Sequence, residues 1–274
     1  MSGQLGVVAA GWIAPHGVVP DMPATELARV PATHAAMKLA AGNLVAVQPD
    51  SVVLVAPHGF RAADSNTVSL CRNNAIELST WYPWRTDEMR VPGDADLGRL
   101  ILESAAAADV SAVGLVYGAT SEPVYPMDWS ITSPMRYLQE AGYSGSLTPV
   151  TFSSLPLTSE WEFGRAIGGA IRASGKRVAV IASSDLSHVH SADGPYGYDP
   201  IAPLYDSTIE RAVKENDLFA LTNLNLDWVK KAAQDGLRSI LIMGGAIEAA
   251  EFSPRVLAYE VFGYFGMLTA WLGP

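Results

Sequence analysis

Three of the chain's five histidines follow apolar runs of the kind that form buried strands. His16 closes GVVAAGWIAPHG, His58 closes SVVLVAPHG and His188 closes RVAVIASSDLSH. Parallel strands put their carboxyl ends along one edge of a sheet, where ligands bind. Three imidazoles delivered to that edge could share a pocket and support a metal-dependent reaction. His16 and His58 each stand in a Pro-His-Gly tripeptide. Pro15 and Pro57 fix one backbone angle and hold the preceding residue extended. Gly17 and Gly59 allow a sharp turn straight afterwards. The ring is thereby held at a strand end with little freedom, as a metal ligand should be.

Two histidines and one carboxylate that leave coordination positions open suit Fe(II), and the same donors accept Zn2+ or Mn2+. The carboxylate has to come from later in the chain. Asp235 in AAQDGLRS is the first candidate, because Gly236 breaks a helix there; Glu248 and Glu251 in GGAIEAAEF stand in reserve. His188 follows SSDLS and suits acid–base work, since imidazole changes charge near neutral pH. Asp185 and Ser187 could orient it or cap the next segment. His190, two residues on, has a rival claim, although VHSADGPYG reads as a plain loop. His34, among helical alanines, reads as surface or core filling.

The elements that must position these residues alternate along the chain. Strands are expected at GVVAAGWIA, SVVLVAP, SAVGLVYG, SLTPVTFSS and RVAVIASS, all apolar enough to be buried. NTVSLCR and AIELSTW read as shorter strands, arranged as a hairpin on the sheet edge. Helices are expected over TELARVPATHAAMKLAAG, ADLGRLILESAAAA, SPMRYLQEAG and TSEWEFGRAIGGAIRASG. PLYDSTIERAVKEND and LDWVKKAAQDGLRSILIMGGAIEAA are helical, and RVLAYEVFGYFGMLTAWL supplies one or two closing strands. The expected fold is a single α/β domain over 1–274, with a central mixed β-sheet flanked by helices and the active site at the carboxyl ends of the strands.

Composition narrows the partners. Of 274 residues 49% are hydrophobic and 17% charged, enough for a substantial core. A net charge of −10 and a sequence pI near 4.9 argue against nucleic acid. One cysteine, Cys71, excludes an internal disulfide and a thiolate-rich zinc site. No leader pattern opens the chain and no apolar run is long enough for a membrane span, so a soluble, cytoplasmic protein is expected. No Gly-x-Gly-x-x-Gly or P-loop supports a nucleotide site.

The two PHG strand ends and the strand ending SSDLSH, in this order and spacing, resemble the class III extradiol ring-cleavage dioxygenases. That superfamily includes the protocatechuate 4,5-dioxygenase β-subunit and the Memo-related proteins. The resemblance runs from His16 to the C-terminal strands. It implies a non-haem Fe(II) enzyme that cleaves the ring of a catechol- or aminophenol-type substrate with O2, working as a homodimer or with a small accessory subunit. His16 and His58 would be iron ligands, His188 the acid–base, and Asp235 the third ligand, where relatives carry Glu or, in Memo-like members, Cys before Gly. Asp128, Trp129 and His190 would contact substrate. Relatives carry Asp-His-Gly where this chain has Asp128 followed by Trp129, which leaves two alternatives: a Memo-like metal-binding protein without ring cleavage, or a zinc-dependent non-oxidative enzyme. Trp12, Trp81, Tyr82, Trp84, Tyr125 and Trp129 could wall a flat-ring pocket. Arg85 or Arg136 could meet a substrate carboxylate.

Overall fold

Four runs of small and β-branched residues make the middle of the molecule, a computed structural model that describes residues 4–119 and 121–274. Residues 1–3, where the reading for a leader begins, lie outside this set. In chain order, β1 (Val7–Ala14) leads through α1 (Ala24–Leu27) and α2 (Pro31–Ala46) to β2 (Ser51–Ala56). Next come β3 (Asn66–Ser69), β4 (Asn73–Glu77), β5 (Glu88–Pro92) and α3 (Ala95–Ala107). They are followed by β6 (Ala112–Leu115), β7 (Val124–Pro126), α4 (Trp129–Glu140) and β8 (Ser146–Thr151). The second half holds α5 (Leu157–Ser174), β9 (Arg177–Ser183), α6 (Ile201–Lys214), α7 (Leu226–Lys231) and α8 (Leu237–Ile247). The hairpin β10 (Pro254–Phe262) and β11 (Phe265–Leu272) closes the chain.

The main sheet has eight strands in the order β10-β11-β1-β9-β2-β8-β3-β6. β1, β9, β2 and β8 run parallel, while β11 and β3 lie antiparallel on either side of them. The order matters for chemistry: β9 lies between β1 and β2, so the exits of all three are neighbours on one edge. Both faces of this sheet are covered. Ile13, Val53, Val55, Val178 and Val180 pack on one side with α3, α5 and α8. Trp12, Val52, Leu54, Ala179 and Ile181 pack on the other with α2 and α4. Side chains alternate between faces with period two, and because each face meets helices, the strands read as continuous apolar runs. The fold is thus an α/β domain with a mixed sheet between helical layers. Among the described residues no helix is long and apolar enough to cross a membrane.

Several elements depart from the expectations. NTVSLCR and AIELSTW do not form a hairpin. β3 already has both edges occupied by β8 and β6, so β4 leaves to build a second, three-stranded sheet, β5-β4-β7. SAVGLVYG is not a buried strand: β6 ends the main sheet, and its Val113 is 40% exposed. The helix expected from Thr25 is two, because Pro31 starts a new one at its first position, where its missing N–H costs nothing. α4 begins at Trp129, four residues earlier than expected, because the Asp128 carboxylate caps it by accepting from Ser130 N at 2.7 Å.

The two faces and the edge should respond differently to truncation. Leu54→Ala opens a cavity in a fully buried strand and is expected to cost about 2–5 kcal/mol in urea unfolding. Val113→Thr on exposed β6 should stay within about 0.5 kcal/mol. Equal losses at both positions would contradict this assignment of centre and edge.

Candidate metal centre

β1 and β2 each end two residues before their histidine, and the PHG turns bring His16 and His58 together at the sheet edge, rings 5.3 Å apart and nearly perpendicular. Gly59 takes φ +88°, a conformation open to glycine, and so turns the chain away from the His58 ring. The connection between α7 and α8 crosses the same edge and lowers Asp235 between the two rings. Asp235 Oδ2 lies 3.3 Å from Nε2 of His16 and 3.3 Å from Nε2 of His58. One ligand atom from each of the three residues falls within 4.8 Å of the others. The three residues that the sequence singled out as ligands are therefore gathered at one point.

What lets Asp235 reach this point is the residue behind it. At Gly236 a Cβ would stand 2.3 Å from Ser184 Cβ and 2.9 Å from the Asp185 carbonyl, so only glycine fits against the β9 exit. The other carboxylate oxygen, Asp235 Oδ1, accepts a hydrogen bond from Asp185 N at 3.0 Å. Gly236 brings the turn close and this hydrogen bond holds it.

The His16 ring is oriented by a relay that begins with a helix defect. Pro134 lies inside α4 and has no N–H to give Ser130 O, four residues earlier. Ser183 Oγ donates to that carbonyl instead, at 2.6 Å. Its lone pair is then left to accept from His16 Nδ1, 3.1 Å away. With Nδ1 carrying its proton toward Ser183, Nε2 faces the carboxylates, which is the arrangement a ligating histidine needs. Ser133 Oγ also donates to His16 O at 2.8 Å, so α4 clamps both ring and backbone.

Asp185, expected to orient His188, instead serves His16. Its Oδ1 accepts from His16 N at 3.1 Å, and Oδ2 lies 3.3 Å from His16 Nε2. The signal for it in the sequence is the aspartate two residues past the end of β9; its partner could not be known without the strand order. Electrostatics follow from the crowding. Burial alone would lower the His16 pKa, but the Asp185 and Asp235 carboxylates outweigh it and push the value up to about 9. Burial raises the Asp185 carboxyl against the pull of His16. Asp235 is driven well below the carboxylate range: His16 and the hydrogen bonds from both imidazoles overcome its desolvation.

A cavity of about 460 Å³ opens over the three residues and is lined also by Trp129, Asp185, His188, Tyr196, Tyr264 and Phe265. His188 Nδ1 sits 2.8 Å from Leu186 O; a carbonyl can only accept, so Nδ1 carries the proton and Nε2 keeps a free lone pair. Phe265 stacks on the His188 ring at 5.5 Å, and Trp129 packs at a tilt against the His58 ring at 4.3 Å. Nothing in the local sequence marks Tyr196, Tyr264 and Phe265 as lining residues, although Tyr264 and Phe265 belong to the turn of the closing hairpin.

Other expected site residues lie elsewhere. His190 does not line this cavity; its Nε2 meets the buried Asp206 Oδ2 at 2.7 Å. Asp128 is a helix cap behind the site, with Oδ1 bound to Ser130. Glu248 pairs with Arg165 at 3.1 Å, and it and Glu251 lie beyond α8, roughly 16 Å of helix from Asp235, so neither reserve ligand reaches the site. Trp12 is fully buried in the core. Arg85 and Arg136 both pair with Asp21, and neither reaches the cavity.

Residues 17–269 match the family described as the catalytic LigB subunit of aromatic ring-opening dioxygenase, and the chain belongs to that family. His16 directly precedes the matched segment. The chain is similar to Protein CA_C1420 of Clostridium acetobutylicum, 24% identical over 263 residues that cover 93% of this chain and 55% of that protein. It therefore spans about half the length of that curated relative. The crystal structure of JW3007 from Escherichia coli K12 aligns over 97% of this chain and 100% of that one, with TM-score 0.63 and 19% identity, a likeness of fold.

Two outcomes test the centre. Below pH about 9 a cation must displace the His16 proton, so divalent-metal affinity should rise by about tenfold per pH unit from pH 6 and level off above 9. Chelator competition across that range reads the slope, and a flat profile between pH 7 and 9 would contradict it. Gly236→Ala should cost about 1–3 kcal/mol by overpacking and shrink the metal-induced rise in Tm by moving Asp235. A wild-type rise in this variant would show that the approach of the turn does not matter.

Proposed function

We propose that this chain is a non-haem Fe(II) extradiol dioxygenase that opens the ring of a catechol- or aminophenol-type substrate with O2. The observation that supports it most is the convergence of His16, His58 and Asp235, with the free Nε2 face of His188 lining the same cavity. Two imidazoles and one carboxylate leave positions free for substrate and oxygen, the pattern of Fe(II) oxygenases. A bound ferrous ion would supply the redox chemistry and Lewis acidity that join a catecholate to O2.

The chain's own residues supply the rest. His188 Nε2 takes a phenolic proton as substrate binds and returns it to the departing oxygen later, a role worth about 10²–10⁴-fold in rate. Stacking on Phe265 and the Leu186 carbonyl keep that nitrogen aimed into the cavity. Trp129, Phe265 and Tyr264 offer flat apolar walls for a ring. Ser183 and Asp185 hold His16 against rotation, so the ligand geometry does not depend on the cation for its assembly.

A second reading draws support from Trp129, which occupies the position where relatives carry a substrate-contacting histidine. With that imidazole absent, His188 is the one histidine other than the two ligands that lines the described cavity, which suits a zinc-held, non-oxidative reaction or a Memo-like binding role.

Anaerobic loading with iron, followed by a catechol panel under air, separates these readings. Ring-opened yellow semialdehyde is expected, with kcat reduced about 10²–10⁴-fold in His188→Ala at unchanged iron content. His16→Ala and His58→Ala should lose the iron. Full iron occupancy with no product and no oxygen uptake would overturn the dioxygenase reading, and zinc retained through purification would favour the second.

A further inference from the structure

A second cavity of about 330 Å³ adjoins the one over the metal centre, and His16, Gly17 and Trp129 line both. The two are adjoining lobes that share Trp129, and their chemistry differs. Imidazoles and carboxylates surround the first. The second is walled by Val18, Val19, Met22, Trp81, Tyr82 and Trp84, and among the described residues no Lys, Arg, Asp or Glu lines it.

The Tyr82 hydroxyl and the two nearby arginines have partners outside the cavity. Tyr82 Oη meets Ser133 Oγ at 2.7 Å and Thr132 Oγ1 at 3.2 Å, which leaves its ring to face the cavity. Arg85 and Arg136 share Asp21, and Arg85 also pairs with Asp87. The aromatic surface, by contrast, is left open. Trp81 and Trp84 are 40% and 46% exposed, although each is large enough for its burial to be strongly favourable. Trp81 packs against Trp129 at 4.7 Å, which extends the aromatic surface outward from the His58 ring, and Tyr82 and Trp84 form a second aromatic pair, 5.6 Å apart, on the same cavity.

We infer that this trough is a binding subsite for an uncharged aryl substituent, so that the substrate is a catechol-type head carrying a flat apolar tail. The head group rests on the function proposed above; the tail rests on the trough itself. Trp129 then acts in both lobes. Its ring packs against His58 and also lines the trough, where it forms the threshold over which the tail passes. A carboxylated side chain is disfavoured, because among the described residues no Lys or Arg lines either lobe.

The test compares catechol, 4-phenylcatechol and 3,4-dihydroxyphenylacetate as ligands of the metal-loaded protein under anaerobic conditions. The phenyl compound should bind about tenfold or more tighter than catechol, and the carboxylated one no tighter than catechol. In the double variant Trp81→Ala, Trp84→Ala the phenyl preference should fall to within about threefold. Equal affinities for catechol and 4-phenylcatechol in the unaltered protein, or preference for the carboxylate, overturn the subsite. If no catechol binds although metal is present, the head-group reading fails, and the trough is then judged alone with the uncharged fluorophore N-phenyl-1-naphthylamine. Binding that is lost on filling the trough with Met22→Trp supports the apolar subsite; no binding to the unaltered protein overturns it.

Discussion

The Asp235 carboxylate ties the centre together. One oxygen lies 3.3 Å from both ligating imidazoles, and the other accepts from Asp185 N. Through this one group the α7–α8 connection is joined to the exits of β1, β2 and β9. Burying a carboxylate is costly unless it is paired and hydrogen-bonded. Here two imidazoles and a backbone N–H meet that demand, and the protonated His16 balances the extra negative charge of Asp185. A proton on His16 and a divalent cation would answer the same concentration of negative charge.

Around this group the protein uses backbone irregularities to gain orientation. Pro134 weakens α4, but the carbonyl it frees anchors Ser183, and Ser183 sets the tautomer of His16. Gly236 gives up a side chain at the start of α8, but it lets the turn touch the β9 exit. Each irregularity removes a local hydrogen bond or side chain and returns a long-range constraint at the ligands. Rigid strands on one side and a helix clamp on the other leave His58, the most open of the three ligands, facing the cavity.

The pocket is strongly asymmetric. Charged and titratable groups gather on the side formed by β9 and the α7–α8 turn, while aromatic groups gather around Trp129 and the loop between β4 and β5. On the second side Trp129 packs against His58, and the partly exposed indoles of Trp81 and Trp84 lie beyond it. A flat apolar ligand is the chemistry that such surfaces favour.

Much of this was legible in the residues alone. Pro-His-Gly after an apolar run determines that an imidazole ends a buried strand, because local backbone sterics act within a few residues, and the Asp-Gly pair at Asp235 marks the junction before α8, although the left-handed residue there is Ala233. The three residues that cluster at the sheet edge could therefore be named, as could His188 beside them and most strands and helices. Tertiary structure decided the rest. β9 inserts between β1 and β2, and β4 leaves β3 for another sheet, because strand neighbours are chosen by long-range pairing and burial, which leave no mark in local sequence. The same cause moved Asp185 onto His16, removed His190 to Asp206, and separated the WYPWR aromatics from the metal cavity into a lobe of their own.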